Sequence, residues 1–132
     1  MRPLHLFFVL IAVFAGLVAC GKTTHQQGHN LYDVYCGNCH MENGTGLRHL
    51  IPPLAGSDWL RDNPEAVVKG IVYGMEGPIV VNGVTYDQPM PGNKELTEFQ
   101  IVNIVNYINQ AWGNDYGLIT VADTREWMKP VD

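Results

Sequence analysis

The apolar positions of this chain change period several times along its length, and each change marks an element. Leu6 to Ala19 is an uninterrupted apolar run behind the single charge of Arg2. It is shorter than the roughly 20 apolar residues of a spanning helix. That predicts a processing segment over residues 1–19, outside the fold. Residues 20–27 are polar and short and read as a tether, with His25 and His29 solvated. Residues near 29–40 mix polar and apolar positions at helical spacing and predict a first helix, broken soon after by Asn43-Gly44-Thr45-Gly46. Residues 47–57 contain Pro52-Pro53 and read as loop. Asn63-Pro64-Glu65 supplies a cap, a proline and an acid for a second helix, which stops near Gly74. Asp58, Asp62 and Glu65 read as a solvated face.

Two β-rich runs around Asn82-Gly83, within 79–86, predict a hairpin. Thr97 and Gln100 form a capping box. Behind it Ile101, Ile104, Val105, Ile108 and Trp112 make one apolar stripe of a third helix. The tail from 114 to 132 is less patterned. A short helix over Asp123 to Met128 is expected there, with Trp127 against the domain. The fold class is all-α: three main helices and a small hairpin.

The chain has 132 residues and a formal net charge of −5. It reads as one domain. The acidic balance argues against nucleic acid as a partner and permits docking on a basic patch of another protein. No paired carboxylates and no nucleophile–base constellation stand out, so an enzyme is not expected.

Candidate chemistry centres on Cys36-Gly37-Asn38-Cys39-His40. Positions i, i+3 and i+4 share one helical face. Two thiols there can form thioethers to the vinyl groups of one porphyrin, while the imidazole of His40 turns to the iron; Cys-X-X-Cys-His is the attachment signature of c-type haem. A zinc ribbon would need a second cysteine pair, and no cysteine follows Cys39. The remaining cysteine, Cys20, ends Leu17-Val18-Ala19-Cys20. This resembles the lipobox of bacterial lipoproteins, in which that thiol takes lipid and becomes the new N-terminus. Three cysteines are thus divided between lipid and haem, and no disulfide is expected. Both signals place the protein in the cell envelope, lipid-anchored and facing the periplasm or outer side.

With two axial protein ligands a haem transfers electrons; with one it binds gases or does oxygen chemistry. Candidates for the second ligand are Met41, Met75, Met90, Met128, His25, His29 and His49. Met90 has the best context, because Pro89 and Pro91 fix the backbone on either side of it in a loop between hairpin and last helix. Met75 follows a helix stop and is geometrically possible.

At this point the chain resembles the class I, monohaem c-type cytochromes, over about residues 28–113. Gly28, Tyr32, Cys36, Cys39 and His40 carry the first-helix pattern. Pro52-Pro53-Leu54, Met90-Pro91, and Asn106-Tyr107-Ile108 with Trp112 carry the rest. The resemblance implies a cytochrome c fold over 28–113, with 114–132 packed on it as an extension. It also implies a crossing of first and last helices at Gly28 and Tyr107. The Pro52 carbonyl would accept from the proximal histidine, and Leu54 would press on the porphyrin. The implied function is one-electron transfer by a single haem c with His40 and Met90 as iron ligands. The partners would be redox proteins such as an oxidase, reductase or dehydrogenase, and the chain a monomer. The alternative is a haem-based gas sensor or peroxidase-like site with a labile sixth ligand.

Overall fold

The computed structural model describes residues 23–130, with side chains from Gln26 onward. The expected processing segment, Cys20 and the side chain of His25 lie outside the described residues. Helix α1 (Thr23–Tyr35) begins upstream of its expected start, inside the stretch read as tether. It also ends before the cysteine motif. Cys36, at φ −124°, interrupts it, and α2 (Gly37–His40) is a separate turn. Gly37 and Asn38 are weak helix formers, which favours the break at this place.

Helix α5 (Glu98–Ile108) carries the expected capping box, with Gln100 N–H donating to Thr97 Oγ1 and Thr97 N–H to Gln100 Oε1. Its stripe is the centre of the core: Ile101, Ile104, Val105 and Ile108 are all buried. Each contributes about 1.5–3 kcal/mol by leaving water. Helices α1 and α5 cross closely at Gly28. A Cβ there would lie 2.4 Å from Asn103 O and 2.7 Å from Tyr107 Cβ, so only glycine permits this approach. Tyr32, Tyr107 and Trp112 pack edge to face or tilted beside the crossing, with ring centroids 5.1–5.6 Å apart.

Trp112 does not extend the α5 helix as the stripe suggested. The helix stops at Ile108, whose carbonyl accepts from the Asn114 side-chain amide at 2.7 Å. Trp112 sits in a 3-10 turn (Ala111–Gly113) at φ 55°, and its indole N–H donates to Glu42 O.

A short helix α3 (Asp58–Asp62), capped by Ser57, precedes α4 (Pro64–Tyr73). Asn63 occupies the cap position of α4 without capping it; its side chain donates back to Trp59 O at 2.9 Å. Asp58 is no simple solvated acid either. Its carboxylate accepts from the Asn82 N–H at 2.7 Å, and Asn82 Oδ1 accepts from the Asp58 N–H. The pair fastens the hairpin of β1 (Ile79–Val81) and β2 (Val84–Tyr86) to α3. The strands pair antiparallel, Val81 opposite Val84, and Asn82 and Gly83 both take positive φ as a tight primed turn requires.

The last helix, α6 (Val121–Trp127), is set by a second capping box, Thr120 with Asp123, which moves its start upstream of the expected Asp123. It packs on α5 and α4. Thr124 is fully buried beneath it, and Arg125 forks onto Glu98. The described helices include none long and apolar enough to cross a membrane. The described residues form a mostly helical domain with one two-stranded sheet, the architecture of a cytochrome c fold.

Candidate haem site

The α2 turn closes through Cys39 N–H and His40 N–H, both donating to Cys36 O at 3.1 and 2.9 Å. This places the two thiols and the imidazole on successive positions of one turn. Cys39 is exposed and Cys36 half-buried. Burial, with Cys39 nearby, pushes the Cys36 thiol up to about 11. His40 is buried, and its Nδ1 lies 3.1 Å from Pro52 O. A carbonyl only accepts, so Nδ1 carries the proton and Nε2 keeps its lone pair. Burial lowers the histidine's proton affinity, against the opposing effect of the Pro52 bond, and so favours the neutral ring.

Cys36, His40, Pro52, Pro53, Leu54 and Met90 all line one cleft. Its remaining lining is almost wholly apolar and comes from α3, α4, β1 and α5: Trp59, Leu60, Val67, Ile71, Ile79, Val81, Ile104 and Ile108. Among the described residues no cluster of three or more His, Cys, Asp or Glu could hold a bare metal ion. One neutral imidazole, the Cys36 thiol and thioethers in an apolar cleft, with Cys39 exposed on the same turn, suit a flat apolar macrocycle that brings its own nitrogen donors. The residues present therefore fit a haem.

The two methionines weighed from the sequence turn out to be neighbours. Met75 N–H donates to Met90 O at 2.9 Å and Met90 N–H to Met75 O at 3.0 Å. Residues opposed in such an antiparallel pair send their side chains to the same face, and both line the cleft. Their surroundings differ. Met75 Sδ lies over Gly70, where a Cβ would approach it to 2.8 Å. The loop that carries Met90 is laid directly on the end of α4: Asn93 N–H donates to Ile71 O at 2.8 Å. A Cβ on Gly92 would fall 2.4 Å from the Gly74 nitrogen, and Gly74 itself sits at φ 84°. Both glycines are needed for this backbone contact.

The other ligand candidates lie elsewhere. His29 and Met41 line a separate surface cleft with Tyr107 and Trp112, and His29 faces Asp33. His49 is exposed on its loop, and Met128 packs at the foot of α6. Sequence reasoning missed the walls supplied by α3 and β1, and it missed Asn114. That buried side chain accepts from Gly56 N–H and donates to Leu54 O and Ile108 O, joining the Leu54 segment to the end of α5. The apolar spacing of Val67 and Ile71 was the available signal for the α4 wall; nothing local signals Asn114.

Residues 23–108 match the family described as "Cytochrome C oxidase, cbb3-type, subunit III". Among curated proteins, the chain is similar to the cytochrome c subunit of an alcohol dehydrogenase (quinone) from Gluconacetobacter polyoxogenes. The two are 36% identical over 112 residues, 83% of this chain and 24% of that one. Cytochrome c-552 of Thermus thermophilus is 34% identical over 83 residues, 60% of this chain and 63% of that one. The fructose dehydrogenase cytochrome subunit of Gluconobacter japonicus is 29% identical over 97 residues, 70% of this chain and 20% of that one. The chain thus spans only a minor part of the length of the dehydrogenase subunits it matches.

Proposed function

We propose a function from one premise: this chain belongs to the cytochrome c family described as cytochrome C oxidase, cbb3-type, subunit III, and so carries covalently bound haem c and serves electron transport. The reading is a one-electron carrier with thioethers at Cys36 and Cys39 and axial ligation by His40 and Met90. When bound, the haem supplies a ferric/ferrous couple. The protein's residues do the rest. Pro52 O holds His40 Nδ1–H and so presents Nε2 to the cleft. This is the observation that carries the reading, because it leaves one oriented nitrogen donor in an otherwise apolar site. Leu54, Ile71 and Ile104 exclude water from the cleft. Met90 is favoured over Met75 as the sulfur ligand because the segment just after it, Gly92 and Asn93, rests on the end of α4, while Met75 Sδ is packed against Gly70.

The test is spectroscopic. Purified ferric protein is expected to be six-coordinate and low-spin, with a sulfur-to-iron charge-transfer band. High-spin iron as isolated would replace the carrier by the gas-sensor or peroxidase-like reading.

Two further assignments belong to this reading. Leu17-Val18-Ala19-Cys20 supports lipid attachment at Cys20 and a location on the outer side of a bacterial membrane. Intact-mass analysis of the membrane form is expected to show Cys20 as an acylated N-terminus, and an uncleaved Met1 would refute it. The relatives named as dehydrogenase subunits support a dehydrogenase as electron donor, and the family description supports an oxidase as acceptor. Affinity purification from detergent-solubilised membranes tests both.

A further inference from the structure

No residue of 114–130 lines the cleft, yet this segment is tied to the helix end on which Met90 rests. Tyr73, the last residue of α4, donates its hydroxyl to Met128 O at 2.6 Å. Two residues on, Met75 exchanges both backbone hydrogen bonds with Met90. From the same helix end Ile71 O receives the Asn93 N–H, and Gly92 lies against Gly74. An unbroken run of hydrogen bonds and close backbone contacts thus leads from Met128 through Tyr73 to Met90. Its far end is anchored. Asn106 on α5 pairs with the Ile119 backbone in both directions, and Arg125 forks onto Glu98.

We infer that Tyr73 is a positioning residue for the sixth ligand: by tying the end of α4 to the foot of the C-terminal helix, it keeps the Met75–Met90 ladder, and with it the Met90 thioether, against the cleft. The inference rests on the reading that Met90 is that ligand. The physical content is a population. A small molecule competing for the sixth position binds only when Met90 has moved away, so its apparent affinity measures the fraction of time Met90 is off. Losing the Tyr73 hydrogen bond raises that fraction. Tyr73→Phe deletes only the hydroxyl and retains the ring over which Lys94 Nζ sits.

Imidazole is titrated into the ferric holoprotein. Tyr73→Phe is expected to bind it about two- to tenfold more tightly than wild type, the span set by one modest hydrogen bond. Ile101→Val is the comparison. It removes a methyl group from the core at a fully buried position away from the cleft, and so lowers global stability without touching the tie. It is expected to bind imidazole as wild type does. Wild-type affinity in Tyr73→Phe, or equal tightening in both variants, overturns the positioning role. A sulfur band that survives Met90→Ala overturns the ligand assignment and the inference together. A band lost in Met90→Ala alongside unchanged imidazole binding in Tyr73→Phe overturns the inference alone.

Discussion

His40 and Met90 face one cleft but are held in different ways. His40 is fastened within its own stretch of chain. Its N–H donates to Cys36 O, its carbonyl accepts from Gly46 N–H, and its ring reaches Pro52 O. Met90 is fastened by a distant helix: α4 supplies the Ile71 carbonyl, the Gly74 contact and, just beyond it, the Met75 ladder partner. The histidine's contacts lie within its own loop; the Met75–Met90 pair continues the register of the β1–β2 hairpin, and what α4 adds is the Ile71 and Gly74 support beneath the loop. Disturbing that α4 support is therefore expected to release the methionine side while the histidine side stays in place.

The largest expected effect lies on the locally held side. Cys36→Ala with Cys39→Ala leaves no thioether, and acid–acetone is expected to extract all haem from that variant and none from wild type. Next comes the proposed sulfur ligand. Met90→Ala is expected to abolish the sulfur-to-iron band, lower the potential and admit small ligands, since a thioether favours ferrous iron relative to nitrogen ligands. Met75→Ala is expected to remain six-coordinate and low-spin. The reverse pattern would exchange the roles of the two ladder partners.

A pair of glycine substitutions sharpens the contrast further. Gly92→Ala drives a Cβ into the α4 backbone at 2.4 Å. It is expected to cost about 1–3 kcal/mol in denaturant unfolding and to weaken the sulfur band. Gly37→Ala, inside the α2 turn beside His40, meets nothing closer than Tyr32 O at 3.7 Å. It is expected to be neutral or to stabilise by up to about 1 kcal/mol. Comparable losses in both would deny that the His40 and Met90 sides are held differently.

The smallest effect is acidic. The Arg125 hydrogen bonds hold the Glu98 carboxyl below its usual range, and the Thr120 hydroxyl and N–H do the same for Asp123. Because these native values are depressed, their stabilisation is present above the ordinary carboxylate range. It is lost as pH falls through the native values, below about pH 4. The urea midpoint of wild type is expected to fall more between pH 6 and pH 3 than that of the Glu98→Gln, Asp123→Asn double variant.

Much of this molecule was readable along the chain. The Thr97 capping box, the stripe from Ile101 to Ile108 and the Asn82-Gly83 hairpin depend on neighbours within a few residues, and each occurs where expected. Failures came where a side chain took a backbone partner that the pattern did not show. Trp112 left the helix because Asn114 takes the Ile108 carbonyl, and Asp58 bonded to a hairpin backbone met only in three dimensions. Asn63 followed its position but not its chemistry, since the nearby Trp59 carbonyl claimed its amide.

The sequence by itself determined the chemistry of the site. Two thiols and an imidazole at i, i+3 and i+4 can only be brought together by one helical turn, so their spacing already encodes their geometry. It also favoured Met90, flanked by Pro89 and Pro91, over Met75 as the thioether within reach. Only the tertiary structure decided how each is held: which sulfur rests over Gly70, which backbone lies on the end of α4, and that α6 is tied to that same helix end through Tyr73. The reason is physical. Hydrogen bonds within a turn are set by local spacing, whereas contacts between segments far apart in the chain depend on how all the intervening elements pack.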